Sequence, residues 1–120
     1  MAQPSPDRLN YRPVVTDEEA EEALHALIQS TDRIAQARAR VVKADAMLKH
    51  VKAVAASLSA ASSVQARENE ALASKQYKTA IEELAEATFE FERAKSQREN
   101  NLAIIEAWRT ASSNARAARI

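Results

Sequence analysis

The sequence predicts an all-α fold: a long antiparallel helical hairpin, an Ala-rich coiled coil that dimerises into a four-helix bundle. Three observations predict it. The 120 residues include no glycine and only three prolines, Pro4, Pro6 and Pro13. Such a chain lacks the residue that tight left-handed turns use, and its many alanines suit helices. Alanine then recurs in seven-residue steps at 73, 80, 87 and 94, and the step continues through Asn101, Trp108 and Ala115. Tyr77, Leu84, Phe91, Arg98 and Ile105 each follow four residues after one of the first five. Large and small residues thus alternate along a heptad seam, which brings a partner helix close. A matching seam runs through the first half of the chain.

Residues 1–15 read as an extended, Pro-containing arm, because each proline fixes φ and removes a backbone donor. Leu9, Tyr11, Val14 and Val15 leave two readings open, an arm packed on the helices or a frayed end. The hairpin is expected over 16–117, with a tail at 118–120. Thr16-Asp17-Glu18-Glu19 fits a capping box, and the acidic start through Glu22 complements the positive end of the helix dipole. The first seam reads Ala20, Ala23, Leu27, Ser30, Ile34, Ala37, Val41, Ala44, Leu48, Val51, Ala55 and Leu58. A helix of that length reaches roughly 60 Å.

The pattern weakens over 57–63, Ser-Leu-Ser-Ala-Ala-Ser-Ser. Serine competes for backbone hydrogen bonds and favours caps and turns. The reversal is expected near 59–64, with Ser62 or Ser63 capping a second helix from about Val64 to about Ala115. A continuous helix paired with a second chain is the alternative. Folding near residue 64 makes partner positions sum to about 128. Leu84 then faces Ala44, Phe91 faces Ala37 and Tyr77 faces Val51, so large meets small. Arg38, Arg40 and Lys43 fall beside Glu82, Glu83, Glu86 and Glu90. Each exposed ion pair contributes little, but together they select the antiparallel orientation.

Several features lie outside this scheme. Leu24, Ile28, Val42, Met47 and Val54 on the first helix, and Ile81, Phe89, Leu102 and Ile104 on the second, are apolar but off the seam. A lone hairpin would expose them, and exposed strips of that size mark interfaces. Leu24, Ile28, Ile81, Phe89, Leu102, Ile104 and Trp108 are therefore the candidate partner or oligomer interface, with a dimer favoured and an unknown protein partner second. Ser30, Arg98 and Asn101 form an expected polar layer in the seam, which would fix register; an anion or partner contact by Arg98 is the other reading. Lys49, His50, Lys52, Arg67, Lys75 and Lys78 gather at the expected hairpin tip, and Arg109, Arg116 and Arg119 follow Trp108 near the C-terminus. These are the candidate nucleic-acid contacts, through phosphates at the tip and base stacking on a Trp–Arg platform. The plainer readings are solvated lysines and a tryptophan that closes the core.

Other classes are poorly served. The formal net charge is zero, unlike a general nucleic-acid coat. There is no cysteine, and the two histidines have no metal-pair spacing. A phosphate loop needs glycine. No enzyme activity, cofactor, metal, catalytic residue or membrane span is expected, and the N-terminus lacks signal-peptide character, so a cytoplasmic location follows by default.

Ala61-Ser62-Ser63-Val64-Gln65-Ala66-Arg67-Glu68-Asn69-Glu70-Ala71-Leu72-Ala73-Ser74-Lys75-Gln76-Tyr77 resembles a segment of small α-helical accessory proteins of tailed bacteriophages and prophages, and so does Ile105-Glu106-Ala107-Trp108-Arg109 with its Ser/Asn/Arg tail. The likeness covers the second half of the chain. It implies a phage accessory protein in a bacterial host cell, acting near DNA or a recombination enzyme, and it supplies no catalytic residues. Two functions are thus expected: helical protein–protein interaction with self-association, or, alternatively, single-stranded nucleic-acid binding as a recombination mediator.

Overall fold

The computed structural model describes residues 14–118. The fold is an all-α helical hairpin, with no strand among the described residues. Helix α1 is Asp17–Leu58, α2 is Val64–Leu72 and α3 is Lys75–Ala118. Most of the expected arm, and Arg119 with the end of the tail, lie outside the described residues.

Helix α1 begins at the capping box. Thr16 Oγ1 accepts from the Glu19 amide at 3.1 Å, and its hydroxyl donates to Glu19 Oε1 at 3.1 Å. The reciprocal contact thus returns to the Thr16 hydroxyl, where the usual box returns to the backbone amide. Asp17, Glu18 and Glu19 fill the first turn, where the helix dipole favours negative charge. Every seam position from Ala20 to Ala55 is buried or half-buried. Leu58, the last, is 80% exposed, because α1 ends there and nothing continues the seam.

The reversal occupies 59–63 and uses no positive φ. Side chains do what glycine would do elsewhere. Ser59 Oγ accepts from the Ala61 amide at 3.1 Å and donates to the Glu70 carboxylate. Arg67 Nε donates to the Ala61 carbonyl at 2.8 Å. Ser63, with extended backbone, caps α2 by accepting from the Ala66 amide at 3.1 Å.

The expected continuous second helix is broken at Ala73-Ser74. Ala73 closes α2, and Ser74 Oγ accepts from the Tyr77 amide at 3.1 Å, starting α3. The Ser74 hydroxyl also donates to the Ala71 carbonyl at 2.7 Å. This local side-chain bonding competes with the helical ladder. Ala73, read as a seam residue, is consequently exposed.

Two compact units divide the described chain, 14–30 with 97–118, and 31–96. In the first, Val15, Ala20 and Ala23 are buried, and Leu27, Ile105 and Trp108 are half-buried. In the second, Ala71, Ala80, Ala87 and Ala94 are buried, and Tyr77, Leu84 and Phe91 are half-buried. Within this second unit the expected charge pairing forms. Arg40 meets Glu83 and Glu86, each at 3.8 Å, so partner numbers sum to 123 and 126. The reversal at 59–63 falls within the expected 59–64.

Ala87 is 0% exposed, so the seam there has no space for a larger side chain. Ala87→Leu is expected to lower unfolding free energy by about 1–3 kcal/mol, the usual range for overpacking. Ala85→Leu, at an exposed position, should change it by less than about 0.5 kcal/mol. Urea unfolding checks both, and equal effects would contradict the close alanine seam.

Candidate functional site

In the first unit, Trp108 is fixed from the other helix. Its Nε1 donates to Asp17 Oδ1 at 2.7 Å. Asp17 stands there because the capping box starts α1 one residue earlier. A groove of about 230 Å³ lies beside this bond, lined by Asp17, Ala20, Glu21, Leu24, Ile105 and Trp108. The indole thus presents an apolar face next to Leu24 while its polar atom is satisfied. Arg109 pairs with Glu106 at 3.6 Å, and Arg116 is exposed.

The expected polar layer is only partly drawn in. Ser30 and Asn101 are half-buried, whereas Arg98 is exposed. Ser30 Oγ donates to the Leu27 carbonyl of its own helix at 2.7 Å. A flexible cation at a seam position escapes to water when its stem is long enough.

In the second unit, the basic tip is tempered by local partners. Lys49 bonds Asp45 at 3.2 Å one turn earlier. Arg67 holds the reversal through Ala61. Lys52 is half-buried, and Lys75 and Lys78 are exposed. His50 lines a groove that also contains the Glu70 side chain. The tip is therefore of mixed sign.

The off-seam apolar residues are where the sequence reading put them, with one correction. Leu24, Ile28, Val42, Met47, Val54, Ile81, Phe89 and Leu102 are exposed, Ile28 by 68% and Phe89 by 61%. Ile104 is half-buried. Heptad position sorts the others. In the second unit Val42 follows the seam residue Val41, and Ile81 follows Ala80, which places both on one flank. Met47 and Val54 precede Leu48 and Ala55 and occupy the opposite flank.

That opposite flank is concave. A groove of about 340 Å³ runs past Arg40, Lys43, Ala44, Met47 and Val51 of α1 and Gln76, Ala80 and Glu83 of α3. A second, of about 500 Å³, continues past Val51, Val54, Ala55 and Leu58 to Ser59, Glu70, Ser74 and Gln76. Val51 and Gln76 line both, so the two adjoin along α1. The sequence reading missed this groove because Ala44, Val51 and Ala55 read as covered seam. Ser74, a helix-breaking signal in the middle of the heptads, was the available clue.

Among the described residues no group of His, Cys, Asp or Glu is placed to hold a metal ion, and no helix is long and apolar enough to cross a membrane. Comparison with protein-family models, curated proteins and solved structures finds no match for this chain.

Asp17→Ala removes the acceptor of the only tryptophan. It is expected to shift the indole emission and to cost about 1 kcal/mol or less, because the bond is solvent-exposed. Fluorescence and thermal unfolding check this; an unchanged emission spectrum would contradict the Trp108–Asp17 contact.

Proposed function

We propose that this chain is a non-enzymatic accessory protein of a tailed phage or prophage, working through helical protein–protein interaction and self-association. The observation that carries the reading is an imbalance of burial. The buried hydrophobic residues among those described are Val15 and six alanines, and no large side chain is fully buried. Meanwhile Leu24, Ile28, Val42, Met47, Val54, Ile81, Phe89 and Leu102 face solvent. Burying a large aliphatic or aromatic side chain contributes roughly 1.5–3 kcal/mol, far more than an alanine methyl can. A thin alanine seam flanked by exposed large residues is a surface suited to further helices.

The first unit offers Leu24, Ile28 and Leu102 together with the Trp108 groove. The second offers two flanks, one with Val42 and Ile81 and the other with Met47 and Val54. One flank suffices for a second copy, which leaves others for an unlike protein. The resemblance of the second half to small phage proteins supports the accessory role. Nucleic-acid binding has less support, because Lys49, Arg67 and Arg109 already hold partners within the chain.

Light scattering on the purified chain tests self-association. The expected mass at tens of micromolar is twice the 13.2 kDa of one chain. Reversing the charges of Lys75 and Lys78 should leave that mass unchanged. A monodisperse monomer at all concentrations would overturn self-association, and saturable, salt-sensitive binding of single-stranded DNA would favour the nucleic-acid reading.

A further inference from the structure

The two adjoining grooves of the second unit form a surface with a polarity. Its apolar floor follows α1 from Ala44 through Met47, Val51 and Val54 to Leu58. At one end stands Lys43, beside Arg40, whose charge is answered by Glu83 and Glu86. At the other end stands Glu70, held by Ser59. A cation thus marks one end and a carboxylate the other.

We infer that a second copy of this chain docks in this groove about a two-fold axis passing α1 between His50 and Val51. The inference rests on the self-association proposed above and names the surface that carries it. An isologous contact requires each patch to complement itself, and this one does. Two α1 helices laid antiparallel across that axis bring Met47 of one copy against Val54 of the other, twice. Each fills space that its mate leaves empty. The same rotation brings Lys43 opposite Leu58, at the end where Ser59 holds Glu70, so each copy contributes one cation and one carboxylate to two equivalent ion pairs. A parallel arrangement would stack Lys43 on Lys43 and Glu70 on Glu70 and lose the complementarity. From Arg40 to Leu58 the groove follows about 27 Å of helix. Val42 and Ile81, on the opposite flank, stay uncovered and available to an unlike partner.

The chain has no cysteine, so introduced thiols report this geometry without background. Full-length Met47→Cys and Val54→Cys variants are mixed in equal amounts and oxidised in air with a copper catalyst. Disulfide-linked dimers are then assigned by mass spectrometry. The mixed 47–54 product is expected to exceed either homodimer several-fold, since like positions lie about 10 Å apart along the axis in this register. Lys43→Glu is expected to weaken the dimer about tenfold, and adding Glu70→Lys in the same chain to restore it; circular dichroism confirms that each variant remains helical. Homodisulfides in excess of the mixed product would overturn the two-fold register. A dimeric mass with no cross-link at either position would overturn the docking surface and leave self-association standing. A monomeric mass would overturn both.

Discussion

The constraint on which the structure depends is the close approach of two helices across alanine. Ala80, Ala87 and Ala94 are buried at seven-residue intervals, and the larger Tyr77, Leu84 and Phe91 between them remain half-buried. Small residues at alternate positions let the backbones come near, and near backbones leave no room to enclose large side chains. The seam therefore specifies partner and register more strongly than it stabilises. What stabilises a helix pair is mainly apolar area removed from water, and here, among the described residues, only six alanines and one valine are buried while the larger seam residues Tyr77, Leu84 and Phe91 are half-buried. The exposed leucines, isoleucines and Phe89 follow from that geometry, and so does the proposal that other helices cover them.

Much of this was legible in the sequence, because heptads, caps and charge blocks are local or periodic signals. The seam of α1 from Ala20 to Ala55, the capping at Thr16, the reversal among the serines and the exposure of Leu24, Ile28, Val42, Met47, Val54, Ile81, Phe89 and Leu102 all follow from spacing. The missed features depend on which of two bonding options a side chain takes. Ser74 is one serine within an otherwise regular heptad pattern, yet its hydroxyl closes on Ala71 and its oxygen caps Tyr77, ending one helix and starting another. Arg67 read as part of a phosphate patch, but a carbonyl of the reversal takes its Nε. The contacts that hold the glycine-free turn were hidden for a similar reason: they join side chains to partners six and eleven residues away. The indole of Trp108 finds Asp17 across 91 residues of sequence, a pairing that periodicity places only approximately.

The same contacts divide the charged residues into those engaged within the chain and those facing outward. Lys49, Arg67 and Arg109 are occupied locally, and Arg40 bridges to Glu83 and Glu86. Exposed ion pairs add little stability, but they remove cations from the supply that phosphate binding would need. The exposed large apolar residues lie on helix flanks, and the surface is concave beside Met47, Val51 and Val54.

The central claim is that association completes a core the hairpin leaves thin. The most direct test is the thermal unfolding midpoint of the intact chain, followed by circular dichroism across a hundredfold range of protein concentration. A folded dimer that dissociates on unfolding gains stability by mass action, so the midpoint should rise steadily with concentration. A midpoint independent of concentration, in a single cooperative transition, would contradict the claim and mean that the alanine seam holds the hairpin alone.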